Sequence, residues 1–185
     1  MAVYIYNNLM GNAQAWLEIK NNLKKNDTII FMGEVIKDSK DSWYLLKDIL
    51  LDKRTAVLVH KNDYKYQTLE GDTKFINAVV KDEDPDKKML FIKWFHSNDY
   101  YWHLDDNFNH IIISNEGLIP VFNPETEDVE LLHNLEIDTW DERLDNFYTV
   151  CADDQQMIMS VNHSHNNHKI QINSGLYNLD SLMIY

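Results

Sequence analysis

Three short β-branched runs, residues 3–6, 28–32 and 55–59, each end in a polar loop, and helical patterns separate them. Strand–loop–helix alternation leaves few folds open, because parallel neighbours need a crossover and the sheet faces need covering. Residues 13–23 place Trp16, Ile19 or Lys20, and Leu23 at helical spacing. Residues 41–51 place Leu45, Leu46, Ile49 and Leu50 on one side, with Asp41 or Ser42 as the expected cap. An α/β fold follows, whose first three loops open at the carboxyl ends of strands. Open α/β sheets assemble their sites there.

The rest of the chain is less regular. Residues 66–98 are mostly helical in pattern, with Phe75, Ile76 and Val79 on one face and a break at the acidic stretch 81–86. Residues 100–104 and 110–114 read as a hairpin around 105–109, and 139–147 as a short helix. Strands are expected at 157–161, 169–172 and 181–184, the last two flanking the turn signal Asn173-Ser174-Gly175. With 185 residues, 44% of them hydrophobic, 5 Gly, 3 Pro and no composition shift, one domain over 1–185 is expected.

Lys and Arg number 17 against 30 Asp and Glu, a formal charge of -13. Such a surface repels nucleic-acid backbones, so direct nucleic-acid binding is not expected; the acidic charge favours solubility first and a basic protein partner second. The lone Cys151 excludes an internal disulfide and fits a reducing compartment, with buried filler as its expected role. No apolar run approaches the ~20 residues of a membrane span. The first residues lack the basic start and apolar stretch of a secretory signal. The expectation is a cytoplasmic protein with no membrane association.

Five segments fall at or near the ends of the expected strands. They are Asn7-Asn8-Leu9-Met10-Gly11, Gly33-Glu34-Val35-Ile36-Lys37-Asp38-Ser39, His60-Lys61-Asn62-Asp63, Ser114-Asn115-Glu116-Gly117-Leu118 and Asn162-His163-Ser164. In order and rough spacing the set resembles the calcineurin-like metallophosphoesterases, above all the small bacterial and phage branch of serine/threonine phosphatases and diadenosine tetraphosphatase. The likeness runs over nearly the whole chain. It implies a β-sandwich of mixed sheets flanked by helices, holding two metal ions.

The residues depart from that family's pattern. Where the resemblance implies a metal-binding Asp and His in the first motif, Asn8 and Met10 stand, and Glu34 stands for the Asp that bridges both metals. The phosphate-gripping Arg is replaced by Asp38. Asn62 keeps the metal-binding Asn, while Asp63 replaces the general-acid His, Tyr64 its carboxylate partner, and His60 an Arg that often precedes the motif. Asn115 replaces a His ligand, and His163 alone matches a ligand His outright.

Two divalent cations a few ångströms apart need anionic and imidazole donors. An amide and a thioether offer hard or borderline cations little. At most one weakly held divalent ion, Mn, Zn or Mg, is expected, and no other cofactor. Exchanging Arg for Asp38 changes the Coulomb term on a phosphate at ~4 Å by roughly 8 kcal/mol at an effective dielectric of ~20. Asp63 is expected to be ionised near neutral pH unless strongly perturbed. Lys37 or Lys61 could neutralise Glu34 and Asp63 in place of metal, against the blander reading of solvated lysines.

Other features carry blander readings. His163, His165 and His168 form a polar loop more readily than a metal site. Trp94, Phe95, Tyr100, Tyr101 and Trp102 suit core and hairpin packing more than an interface, and the acidic runs 82–86 and 125–130 suit solvated loops. The sequence therefore favours a catalytically inactive, phosphatase-like pseudoenzyme that acts by protein–protein binding. Its composition would suit a phage or mobile-element inhibitor of a host factor such as nucleic-acid machinery. The alternative is a phosphoesterase with a remodelled mono-metal site; a third reading, a phosphate sensor, is opposed by Asp38.

Overall fold

A computed structural model describes residues 2–97, 101–106, 109–115, 118–133, 142–152, 169–172 and 175–179. The chain forms a mixed α/β structure with three sheets, and its contacts divide it into two compact units. Met1–Asp99 with Ser174–Ile184 make the first, and Tyr100–Asn173 the second.

In the first unit, strands β1 (Val3–Asn7), β2 (Thr28–Phe31) and β3 (Thr55–Val57) run parallel in that order. Helices α1 (Ala13–Asn22) and α2 (Lys40–Leu51) make the crossovers. The strands β2 and β3 stop one and two residues short of expectation. One further amide on each still pairs with the neighbouring strand, Met32 with the Tyr6 carbonyl and Leu58 with the Phe31 carbonyl, before the loops of the second and third motifs begin. Strand β10 (Gly175–Asn178), numbered in chain order, adds antiparallel to β1 at the outer side. Ile29, Ile30 and Phe31 are all fully buried, as suits a strand covered on both faces.

Helix α1 starts after Asn12, whose side chain accepts the Ala15 amide. Ser39, not Asp41 or Ser42, caps α2: its backbone is extended and its Oγ accepts the Ser42 amide at 3.2 Å. Ser42 is buried instead, with its own Oγ accepting the Lys37 amide at 3.2 Å. The expected helical stretch 66–98 is interrupted. A 3-10 helix, Lys61–Tyr66, precedes helix α3 (Lys74–Val80), and helix α4 (Pro85–Ser97) follows the acidic break. Phe75, Ile76 and Val79 are buried together, as their spacing predicts.

An aromatic cluster fills this unit's core. Phe91 meets Trp43 edge-on at 5.9 Å and Phe95 at 4.9 Å, a geometry that suits ring quadrupoles. The Trp94 indole donates to the Val57 carbonyl at 2.8 Å. Trp94 and Phe95 are thus core residues, while Tyr101 is exposed. Tyr100 and the Trp102 side chain lie outside the described residues.

The second unit holds a mixed sheet of order β4–β5–β8–β9: β4 (Tyr101–Asp106), β5 (Asn109–Ser114), β8 (Phe147–Ala152) and β9 (Lys169–Ile172). The hairpin expectation holds, but the strands extend further, pairing Asp106 with Asn109. Strands β6 (Leu118–Asn123) and β7 (Asp128–His133) pair as a separate hairpin that the sequence reading did not anticipate. The expected helix over 139–147 is corrected to a 3-10 turn, Glu142–Leu144, followed by β8. Phe147, Tyr148, Thr149 and Val150 favour a pleated surface over a helix. Cys151 is buried there. The strands expected at 157–161 and 181–184, and the histidines 163, 165 and 168, lie outside the described residues.

Candidate functional site

The first three motifs meet at the carboxyl ends of β1, β2 and β3, and their backbone is unusual. Asn8, Met10 and Glu34 have φ of 60°, 48° and 47°, with Gly11 and Gly33 at 73° and 100°. Left-handed backbone is uncommon for side-chain-bearing residues and gathers at functional sites and tight turns. Two loops lock together here: the Met10 amide donates to the Glu34 carbonyl at 2.7 Å and the Gly11 amide to Val35 at 3.0 Å. Met10 therefore contributes its backbone, while its side chain is exposed. Gly11 is required by close approach as well as by φ. A Cβ there would stand 2.8 Å from Ser42 Oγ and 3.0 Å from Lys37 Cβ.

Glu34 faces the third motif. Asn62 Nδ2 donates to Glu34 Oε1 at 2.5 Å, which turns the amide, not its carbonyl oxygen, toward the carboxylate. His60 Nδ1 lies 3.8 Å from the same oxygen. That approach is not an ion pair, because Nδ1 already accepts the Asn62 backbone amide at 3.1 Å and so presents a lone pair. His60 and Asp63 together form a capping box on the 3-10 helix, Asp63 Oδ2 accepting the His60 amide at 3.4 Å. The signal was present in the sequence as a polar residue followed three positions later by an acid. The resemblance drew attention to the family roles of those positions instead.

Asp63 is almost completely buried. Burial pushes its carboxyl up to about 7, the Glu34 charge adds to this, and the His60 amide partly opposes it. The strong perturbation that would prevent full ionisation at neutral pH is thus present. Its source is desolvation, which no local sequence pattern records.

Asp38 is exposed, and its hydrogen bond is to α3. Its Oδ1 accepts the Phe75 amide at 3.1 Å, in the first turn of α3, so it anchors a helix rather than a phosphate. Tyr64 is exposed on the 3-10 helix, and Lys37 and Lys61 are exposed too, which favours the solvated reading for both. Asn115 is buried just past β5 in the second unit. His163 lies outside the described residues.

A metal pair does not fit the described donor set. Glu34 supplies one carboxylate, already held by an amide N–H; His60 Nδ1 is taken up by the backbone; Asp63 is buried in its cap. Among the described residues, no three His, Cys, Asp or Glu side chains gather as metal ligands would. An ion beside Glu34 would require Asn62 to turn its amide and His60 to release the helix cap. What the arrangement does chemically is hold the Glu34 carboxylate against the Asn62 amide and enclose the Asp63 carboxyl, which burial pushes up to about 7.

No protein-family model matches this chain, and no curated protein matches it either. The likeness to metallophosphoesterases stays an expectation from five sequence segments, of which the first three meet in the first unit, the fourth begins at the end of β5 in the second and the fifth lies outside the described residues.

Proposed function

We propose that the chain is a non-catalytic, metallophosphoesterase-like protein, a β-sandwich of mixed sheets flanked by helices, that acts by binding a basic protein partner. The observation that carries this reading is the Asn62–Glu34 hydrogen bond. A carboxylate that would bridge two cations accepts from an amide instead, and the neighbouring imidazole is used to cap a helix. The commitment of Asp38 to the Phe75 amide removes a second piece of the phosphatase site. A charge of -13 favours a basic partner through long-range attraction, with the effect on association falling as salt rises.

The alternative, a phosphoesterase with one divalent ion, has one feature in its favour. A carboxyl near 7, as at Asp63, suits proton donation at neutral pH. Its near-complete burial within the cap stands against contact with a substrate.

The deciding experiment supplies manganese to the purified protein, measures bound metal, and follows hydrolysis of an aryl phosphate. Substoichiometric metal and no turnover beyond the Glu34→Ala variant are expected. Stoichiometric metal with turnover that disappears in both Glu34→Ala and His163→Ala would overturn the proposal.

A further inference from the structure

Helix α2 carries Lys40 and Lys47, and Lys74 opens α3 while Lys81 caps its end, so each pair is seven residues apart. Seven residues are two helical turns, about 10 Å, so each pair shares a helix face. All four line one cavity of about 600 Å³, with Tyr44 and Asn77 between them. That volume lies within the range of small-molecule sites.

The charges there are not all paired. Lys47 is committed: it pairs with Asp82 at 2.5 Å and sits over the rings of Trp43 and Tyr44 at 5.1 and 4.8 Å. Among the described residues, Lys40, Lys74 and Lys81 make no ion pair. The cavity's own carboxylates are the committed Asp82 and Glu83, leaving four ammonium groups against two carboxylates. Asn77 donates one of its two amide N–H groups to Asp72 at 2.7 Å, which leaves its other N–H and its carbonyl oxygen to a ligand. Asp72, held by Asn77, and Asp38, on the Phe75 amide beside Lys74, add carboxylates at the margin, so the three unpaired ammonium groups rather than a net positive field carry the site. Among the described residues each of these three ammonium groups lacks a carboxylate partner, which a bound anion would supply.

We propose that this cavity between α2 and α3 binds a compact polyphosphate, with Lys40, Lys74 and Lys81 as the phosphate-binding groups and Lys47 as a fixed positive wall. Lysines two helical turns apart, about 10 Å, favour an anion with charge along its length over a single phosphate. The groove is open, Lys40, Lys74 and Lys81 are exposed, and about 600 Å³ is room for a compact anion. The polyphosphate could be inorganic or belong to a nucleotide, whose base could meet the exposed Tyr44 ring and the Asn77 carbonyl. This site is separate from the Glu34 and Asn62 region and does not depend on whether the protein is catalytic.

Titration calorimetry with inorganic tripolyphosphate and with ATP, both free of divalent metal, tests the inference. Binding of at least one is expected, weakened roughly 100-fold in Lys74→Glu/Lys81→Glu and unchanged in Lys53→Glu, an exposed lysine outside the cavity. The milder Lys40→Gln/Lys81→Gln variant should weaken binding by about 10-fold, and gives an independent reading should the double reversal disturb folding. If Tyr44→Ala weakens only ATP, the ligand is a nucleotide; if it affects neither, the inorganic chain suffices. Failure of both probes to bind, affinity indifferent to the cavity lysines, or tighter binding of a poly-glutamate peptide would overturn the proposal.

Discussion

Asp63, at the carboxyl ends of the parallel strands, and Asp82, on the flank of α2, have opposite proton affinities. Asp63 is surrounded by protein, accepts only a long bond from the His60 amide, and is pushed up to about 7. Asp82 accepts from the Lys47 ammonium and the Trp43 indole, at 2.5 and 2.7 Å, and is held down at about 2. The difference lies in burial and in the donors: Asp63 is enclosed with only a backbone amide to offset desolvation, whereas Asp82 is less enclosed and has a charged partner. The flank is therefore built as a structural ion pair. The strand ends keep a carboxyl that can change charge near neutral pH.

The largest expected effect breaks the Asp63 side of this contrast. Its pKa is raised on folding, so its contribution to stability is full below about pH 4 and is lost as pH rises through about 7. The loss amounts to roughly 4 kcal/mol as an upper bound. Asp63→Asn removes that titration and should raise stability near pH 8 relative to pH 5 in urea unfolding at the two pH values. An unchanged pH profile would show that Asp63 is not desolvated.

Next comes Asp82→Ala, which strands the Lys47 ammonium and the Trp43 indole and should lower unfolding stability by about 3 kcal/mol at neutral pH. Because the Asp82 pKa is depressed, its contribution is present above about pH 4 and is lost as pH falls through about 2. Acid titration of wild type against Asp82→Ala reads this directly; parallel acid limbs would count against the pairing.

Smallest is Gly11→Ala, which tests whether the strand-end region depends on backbone fit. Positive φ and the contact with Ser42 Oγ predict a loss of about 1–2 kcal/mol, read as a lower urea midpoint. A neutral result would mean that the first two motif loops can separate without penalty.

The parallel strands and the first two helices were legible because burial imposed a periodicity on residues such as Ile29, Ile30, Trp16 and Leu46. The β6–β7 hairpin was hidden by Pro120, which argues against a strand interior, and by the acidic, leucine-containing stretch of β7. Strand β8 was obscured by an expected helix that ran into Phe147. At the candidate site, the positions of Glu34, His60 and Asn62 were visible as motifs, but their partners were not. Asp38 and Asp82 acquire their roles from Phe75 and Lys47, each more than 30 residues away. The acidic runs first read as solvated loops are likewise partly structural: Asp84 accepts the Asp86 amide at the start of α4, and Glu130 in β7 accepts from Asn123.

The Trp94 indole bond to Val57 has a consequence for how other chains can attach. Strand β3 ends the order of its sheet, and an outward carbonyl there would ordinarily invite another strand. The indole occupies that acceptor, and β3 is only three residues long. Recruitment by strand addition at this margin is therefore disfavoured, and a companion protein would have to recognise side chains rather than borrow the ladder.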